Sequence, residues 1–78
     1  MNRFMSERGK QLKYKTIGLR EWNIGDVYVY DYNLKTEKIY DNATISETIN
    51  GYNQMGYWLS SVGLEGSKTI YYMTKTIE

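Results

Sequence analysis

The sequence predicts a single small α+β domain, in which one helix packs on one face of a mostly antiparallel sheet of four to five strands. Segments rich in Thr, Tyr, Val and Ile show the two-residue alternation of strands, and one segment between them has helical spacing. The 78 residues suffice for only one hydrophobic core. We therefore expect the order β-β-β-α-β-β over residues 11–78, preceded by a basic flexible arm at 1–10.

Three strands are predicted before the helix. The first covers about 11–19, the second 27–32, and a short return strand lies around 38–40. Asn, Gly and Asp within 20–26 supply turn conformations between the first two strands, and residues 33–37 can form a short connection into the third.

The second predicted strand carries the most suggestive pattern in the chain. Its alternation places Val27 and Val29 on one face and Tyr28, Tyr30 and Tyr32 on the other. One helix covers only one side of a sheet, so either the valine face or the tyrosine face looks outward. Outward tyrosines would be a partly buried face with hydroxyls in water, a protein interface, or a stacking surface for nucleic-acid bases.

The helix prediction rests on a capping box. Thr44 and Glu47 have the Ser/Thr-x-x-Glu spacing in which each side chain bonds the other residue's backbone N–H. Gly56 is the residue type that ends a helix in a left-handed conformation. Asn50-Gly51 is also a hairpin signal, but residues 44–49 lack the apolar alternation of a hairpin strand. The apolar face of the helix is expected to consist of Ile45, Ile49, Tyr52 and Met55.

Two segments bounded by glycines, 57–62 and 68–77, predict a closing antiparallel hairpin. The Trp58 indole is expected to pack on the apolar face of the helix. The predicted core comprises Ile17, Val27, Val29, Ile45, Ile49, Tyr52, Met55, Trp58, Leu59, Val62 and Ile70.

The formal net charge of +1 hides an asymmetry along the chain. Residues 1–20 hold six basic residues and one acidic residue, a net of +5, whereas residues 21–78 hold four basic and eight acidic residues, a net of −4. A basic segment of this kind could neutralise phosphates or border a protein-binding surface. The candidate basic residues are Arg3, Arg8, Lys10, Lys13 and Lys15.

The absence of cysteine and histidine from the sequence excludes several classes of function. Disulfides, Cys/His zinc sites and Ser-His-Asp or Cys-His catalysis all need one of these residues. No run reaches the length of a membrane span and the N-terminus lacks a signal-peptide core. We therefore expect a cytoplasmic protein that is not an enzyme and has no cofactor or metal.

Two stretches, KYKTIGL and TISETINGYNQMGYWLSSVGLEGSKTIYYMTK, resemble the bacterial and phage domain-of-unknown-function 4177 family. The resemblance implies a compact α+β fold and self-association, and it supplies no catalytic residues. The positions that carry it are Tyr14, Lys15, Gly56, Trp58, Leu59, Val62, Gly66, Thr69 and Tyr71.

These observations favour a small interaction module of a Gram-positive bacterium or its phage. It would bind another protein, such as a host factor that it inhibits, through the face that carries Tyr28, Tyr30 and Tyr32, and it would form a homodimer. The alternative is a weak nucleic-acid-binding protein that uses the basic N-terminal arm and exposed tyrosines.

Overall fold

A computed structural model describes residues 13–77 and confirms the predicted α+β fold. The basic arm predicted at 1–10 lies outside these residues. The strands form one antiparallel sheet in the order β3-β2-β1-β5-β4. The elements are β1 (Lys13–Trp22), β2 (Asp26–Asp31), β3 (Thr36–Tyr40), α1 (Ile45–Gln54), β4 (Trp58–Glu65) and β5 (Lys68–Ile77).

Strand β1 continues three residues beyond its predicted end and contains Arg20 and Trp22. The turn predicted over 20–26 is therefore wrong in extent, since only three residues separate β1 from β2. Asn23 and Gly25 both adopt left-handed conformations there, with φ of 55° and 92°. Two such residues reverse the chain within a short turn, so the ladder extends to Trp22 opposite Asp26.

Helix α1 begins as the sequence predicts. The Thr44 hydroxyl accepts from the Glu47 N–H at 3.1 Å, and the Glu47 carboxylate accepts from the Thr44 N–H at 3.2 Å. Gly56 follows the helix with φ of 96°, which confirms the left-handed end. Gly51 lies within α1, so the helix interpretation of Asn50-Gly51 is also confirmed.

The hydrophobic core lies between α1 and one face of the sheet. Burial of Ile17, Val27 and Val29 is confirmed, and Ile45, Ile49 and Tyr52 are partly buried against them. The buried core cluster consists of Ile17, Leu19, Val27, Val29, Tyr57 and Met73. We call the other face of the sheet, which points away from α1, the outer face.

The prediction of burial is wrong for four residues of the expected core, since about half of each side chain is exposed. They are Met55, Trp58, Leu59 and Val62. The core position near the helix end is filled instead by Tyr57, whose ring meets that of Tyr52 edge to face at 5.3 Å. Because side chains alternate along a strand, the inward position of Tyr57 turns Trp58 to the outer face. Leu59 and Val62 remain exposed because β4 is an edge strand.

Ile70 is buried as predicted but lies on the outer face rather than in the core. It is three residues from core residue Met73, so the two side chains point to opposite sides of β5.

The hydroxyls of Tyr40 and Tyr52 lie 2.8 Å apart and connect β3 to α1. Burial, followed by this hydrogen bond, raises the pKa of Tyr52 above its usual value. The folded protein therefore favours the protonated form of the Tyr52 phenol.

No helix among residues 13–77 is long and apolar enough to cross a membrane.

Candidate functional site

The outer face is formed by alternate residues of the central strands. Core residues Ile17 and Leu19 point toward α1, so Gly18, Arg20 and Trp22 of β1 point the other way. The only helix among residues 13–77 packs on the opposite side, so no helix in this part of the chain covers the outer face.

The structure places Tyr28, Tyr30 and Tyr32 together on the outer face. They line a shallow depression of about 250 Å³, which Arg20 and Ile70 also border. The rings of Tyr30 and Tyr32 meet edge to face at 4.8 Å. The strand spacing that predicted a shared face is therefore confirmed, and the three tyrosines line one depression.

Tyr32 follows the end of β2 but is held on the sheet by its neighbours. Its N–H donates to the Thr16 carbonyl at 3.0 Å. The Asn33 side chain accepts from the Thr16 N–H at 2.9 Å and donates to the Tyr14 carbonyl at 3.1 Å. The Asn33 side chain thus continues the hydrogen bonding to β1 beyond the end of β2.

Two of the outer rings lie directly over glycines of adjacent strands. A Cβ at Gly18 would lie 3.1 Å from Cε2 of Tyr32, and a Cβ at Gly63 would lie 3.3 Å from Cε2 of Tyr72. The centroids of Tyr32 and Tyr72 are 6.1 Å apart. The glycines therefore allow these rings to pack closely on the backbone.

Arg20 is part of the face, although the sequence reasoning did not select it. Its guanidinium carbon lies 5.3 Å from the Trp22 ring centroid and 5.2 Å from that of Tyr28, and these two rings stack at 5.1 Å. Arg20 also lies 3.8 Å from the Glu65 carboxylate. The alternation of Gly18, Arg20 and Trp22 was the signal that could have identified it.

Two phenols of the outer face, those of Tyr28 and Tyr32, have a raised pKa. The Tyr28 hydroxyl donates to the Glu37 carboxylate at 2.7 Å, and this bond raises the pKa of Tyr28. Burial, together with neighbouring Tyr72, raises the pKa of Tyr32. The surroundings of Tyr28 and Tyr32 therefore favour the protonated form of each phenol.

The candidate basic residues are not brought to the tyrosines by the described part of the fold. Arg3, Arg8 and Lys10 lie outside the described residues. Lys13 and Lys15 alternate in phase with core residue Ile17 and therefore lie on the helix side of β1. Lys13 and Lys15 therefore do not share the outer face with Tyr28, Tyr30 and Tyr32.

Among residues 13–77, no three acidic side chains cluster in a way that could hold a metal ion.

The chain matches no family model, and searches of curated proteins and solved structures find no similar protein. The resemblance to the domain-of-unknown-function 4177 family therefore stays a prediction.

Proposed function

We propose that this protein is a binding module without catalytic activity, which binds another folded protein through its outer face. The observation that carries the proposal is the aromatic surface formed by Tyr28, Tyr30, Tyr32 and Trp22 around Arg20. Following the resemblance, we place it among bacterial or phage accessory proteins that act on a host factor in the cytoplasm.

The composition of the outer face supports protein binding. Tyr, Trp and Arg are the residues most enriched at energetic hot spots of protein interfaces. The pair between Arg20 and Glu65 is long, at 3.8 Å, and the Glu65 side chain is largely exposed. Such a surface pair contributes little stability, so Arg20 is available to an acidic side chain of a partner.

The charges around the tyrosines favour a protein over a nucleic acid. Glu37 binds the Tyr28 hydroxyl and Glu65 borders the same depression, so two carboxylates face any ligand there. With Arg20 as the one cation among residues 13–77 that borders the depression, the two carboxylates leave these surroundings net negative, which disfavours a phosphate backbone. Lys13 and Lys15 lie on the other side of the sheet. A protein surface with apolar and mixed polar groups is the better match.

The test compares the wild type with Tyr28→Ser/Tyr30→Ser. These positions avoid Tyr32, whose ring packs over Gly18, so the variant is expected to stay folded by circular dichroism. A partner captured from host lysate is identified, purified and titrated against each protein. Loss of two hot-spot rings should weaken binding by about 30-fold or more.

Leu34→Ser is the matched control, because Leu34 is an exposed apolar residue in the turn between β2 and β3. It should bind as the wild type does. Equal affinity of the wild type and the tyrosine variant would contradict the proposal. Binding of single-stranded nucleic acid with a steep salt dependence, lost in the same variant, would support the nucleic-acid function instead.

A further inference from the structure

Strand β4 forms one edge of the sheet and exposes an unusual amount of apolar surface. Its single strand neighbour is β5, so among residues 13–77 its other side has no strand partner. The exposed fractions are 46% for Leu59, 53% for Val62 and 78% for Leu64. No charged residue interrupts the strand between Trp58 and Leu64.

The opposite edge of the sheet has the features that prevent edge pairing. Strand β3 has five residues, and Glu37 and Lys38 lie within it. Short length and charged side chains are common means by which proteins avoid pairing at exposed edges. Strand β4 has eight residues and no such charges in its interior, so the two edges differ in kind.

We propose that β4 pairs with β4 of a second copy of this chain and joins the two sheets into one of ten strands. Two identical strands that pair antiparallel are related by a two-fold axis, so the contact closes as a dimer. Its aliphatic contacts lie on the helix side of the sheet, away from the tyrosines, and the proposal does not depend on the proposed function.

The geometry of β4 selects the register. A bulge lies between Leu59 and Ser61, and pairing with β5 is regular from Ser61 to Glu65. A two-fold axis at Gly63 places Val62 opposite Leu64 of the second copy and Ser61 opposite its Glu65. Opposed residues then share a face, which strand pairing requires.

This register suits a second copy of the chain on chemical grounds. Val62 and Leu64 pair with Tyr71 and Thr69 on the helix side of the sheet, so four aliphatic side chains meet there across the axis. Each Glu65 carboxylate faces a serine hydroxyl rather than another carboxylate. The net charge of +1 adds little repulsion between copies.

The expected interface is small. Pairing of one five-residue segment from each copy leaves it below about 1,200 Å² in total, in the range of weak and transient interfaces. We therefore expect a dimer whose population changes with concentration between about 1 µM and about 1 mM.

Sedimentation of the full chain across that concentration range tests the dimer. Val62→Lys and Leu64→Lys each place a charge at the interface, and both sites are exposed, so folding should be retained by circular dichroism. Each variant should raise the dissociation constant at least tenfold. Ile39→Lys, at a half-exposed position on the β3 edge, is the matched control and should dimerise as the wild type does.

Because the chain has no cysteine, single-cysteine variants report the register. A mixture of Val62→Cys and Leu64→Cys should form a mixed disulfide dimer faster than either variant alone or than Ile39→Cys. A wild type that stays monomeric throughout the range would overturn the proposal. So would a dimer that Ile39→Lys disrupts and the two β4 variants leave intact.

The result of the dimerisation test can be distinguished from the result of the partner-binding test. Val62 and Leu64 lie on the helix side of the sheet, whereas Tyr28 and Tyr30 lie on the outer face. A monomeric β4 variant that still binds the partner would identify two independent surfaces.

Discussion

Replacement of Gly18 by alanine tests whether the Tyr32 ring is held by close packing on the sheet. The added Cβ would lie 3.1 Å from Cε2 and 3.2 Å from the hydroxyl oxygen of Tyr32, and 3.5 Å from Cγ2 of Ile70. Contacts this short require the ring to move by a few tenths of an ångström. The ring also contacts Tyr30 and Tyr72, so its movement disturbs the packing of both neighbouring rings.

The change in the free energy of unfolding caused by Gly18→Ala follows from two opposing effects. Overpacking typically costs about 1–3 kcal/mol, and loss of glycine flexibility in the unfolded chain returns about 0.4–1 kcal/mol. We expect Gly18→Ala to lower the free energy of unfolding by about 1–2 kcal/mol. With a urea dependence of about 1 kcal/mol per M for a small domain, the unfolding midpoint should fall by about 1–2 M.

Equilibrium urea unfolding, followed by circular dichroism, measures this change. Gly51→Ala is the matched control, because nothing lies within 4 Å of its added Cβ and it lies within α1. It should stabilise the protein by about 0.5–1 kcal/mol. In a Tyr32→Ala background, Gly18→Ala should lose its cost. An unchanged cost without the ring, or no cost in the wild type, would refute the reasoning.

Three further predictions concern the helix cap, the core and the tyrosine pair. Thr44→Ala removes one half of the capping box and should lower the free energy of unfolding by about 1 kcal/mol in urea unfolding. Met73→Ala should lower the free energy of unfolding by about 2–5 kcal/mol because Met73 is fully buried. Trp58→Ala, at a half-exposed site, should lower it clearly less. Equal losses in the two variants would contradict the assigned core. The raised pKa of Tyr52 means that the folded state retains its proton more tightly than the unfolded chain. The contribution of the Tyr52 phenol to the free energy of unfolding is therefore complete below about pH 10 and is lost as the pH rises further. The urea midpoint of the wild type should fall above about pH 10, and that of Tyr52→Phe should fall less steeply.

Most of the fold could be predicted because its signals are local. The capping box of Thr44 and Glu47 and the left-handed Gly56 define both ends of α1, and each signal spans only a few residues. The row of tyrosines at 28 and 30 follows from the two-residue period of a strand. These patterns depend on neighbours in the sequence and not on distant contacts.

The errors arose where a single residue determines how two elements join. Asn23 adopts a left-handed conformation that permits a three-residue turn, and this places Arg20 and Trp22 in β1 beside Tyr28. A turn assigned to 20–26 hides both residues. Similarly, side chains alternate between the two faces of the sheet after the helix, so a shift of one residue decides whether Tyr57 or Trp58 enters the core.

The contact of Tyr72 with Tyr32 could not be predicted from local patterns. It requires β5 to lie beside β1, so that Tyr72 faces Gly18 across the sheet. This pairing joins residues more than 50 positions apart in the chain. Sequence alternation identifies the faces of a strand but does not identify the strand that lies beside it.

The packing of Tyr32 and Tyr72 over glycines affects the thermodynamics of any binding at the outer face. A side chain that is mobile in the free protein loses rotamer entropy on binding, at about 0.5–1.5 kcal/mol for each one that becomes ordered. These two rings are already restricted by the backbone beneath them and by their neighbours. A partner would therefore meet a preorganised surface, and more of the contact energy would be retained as affinity.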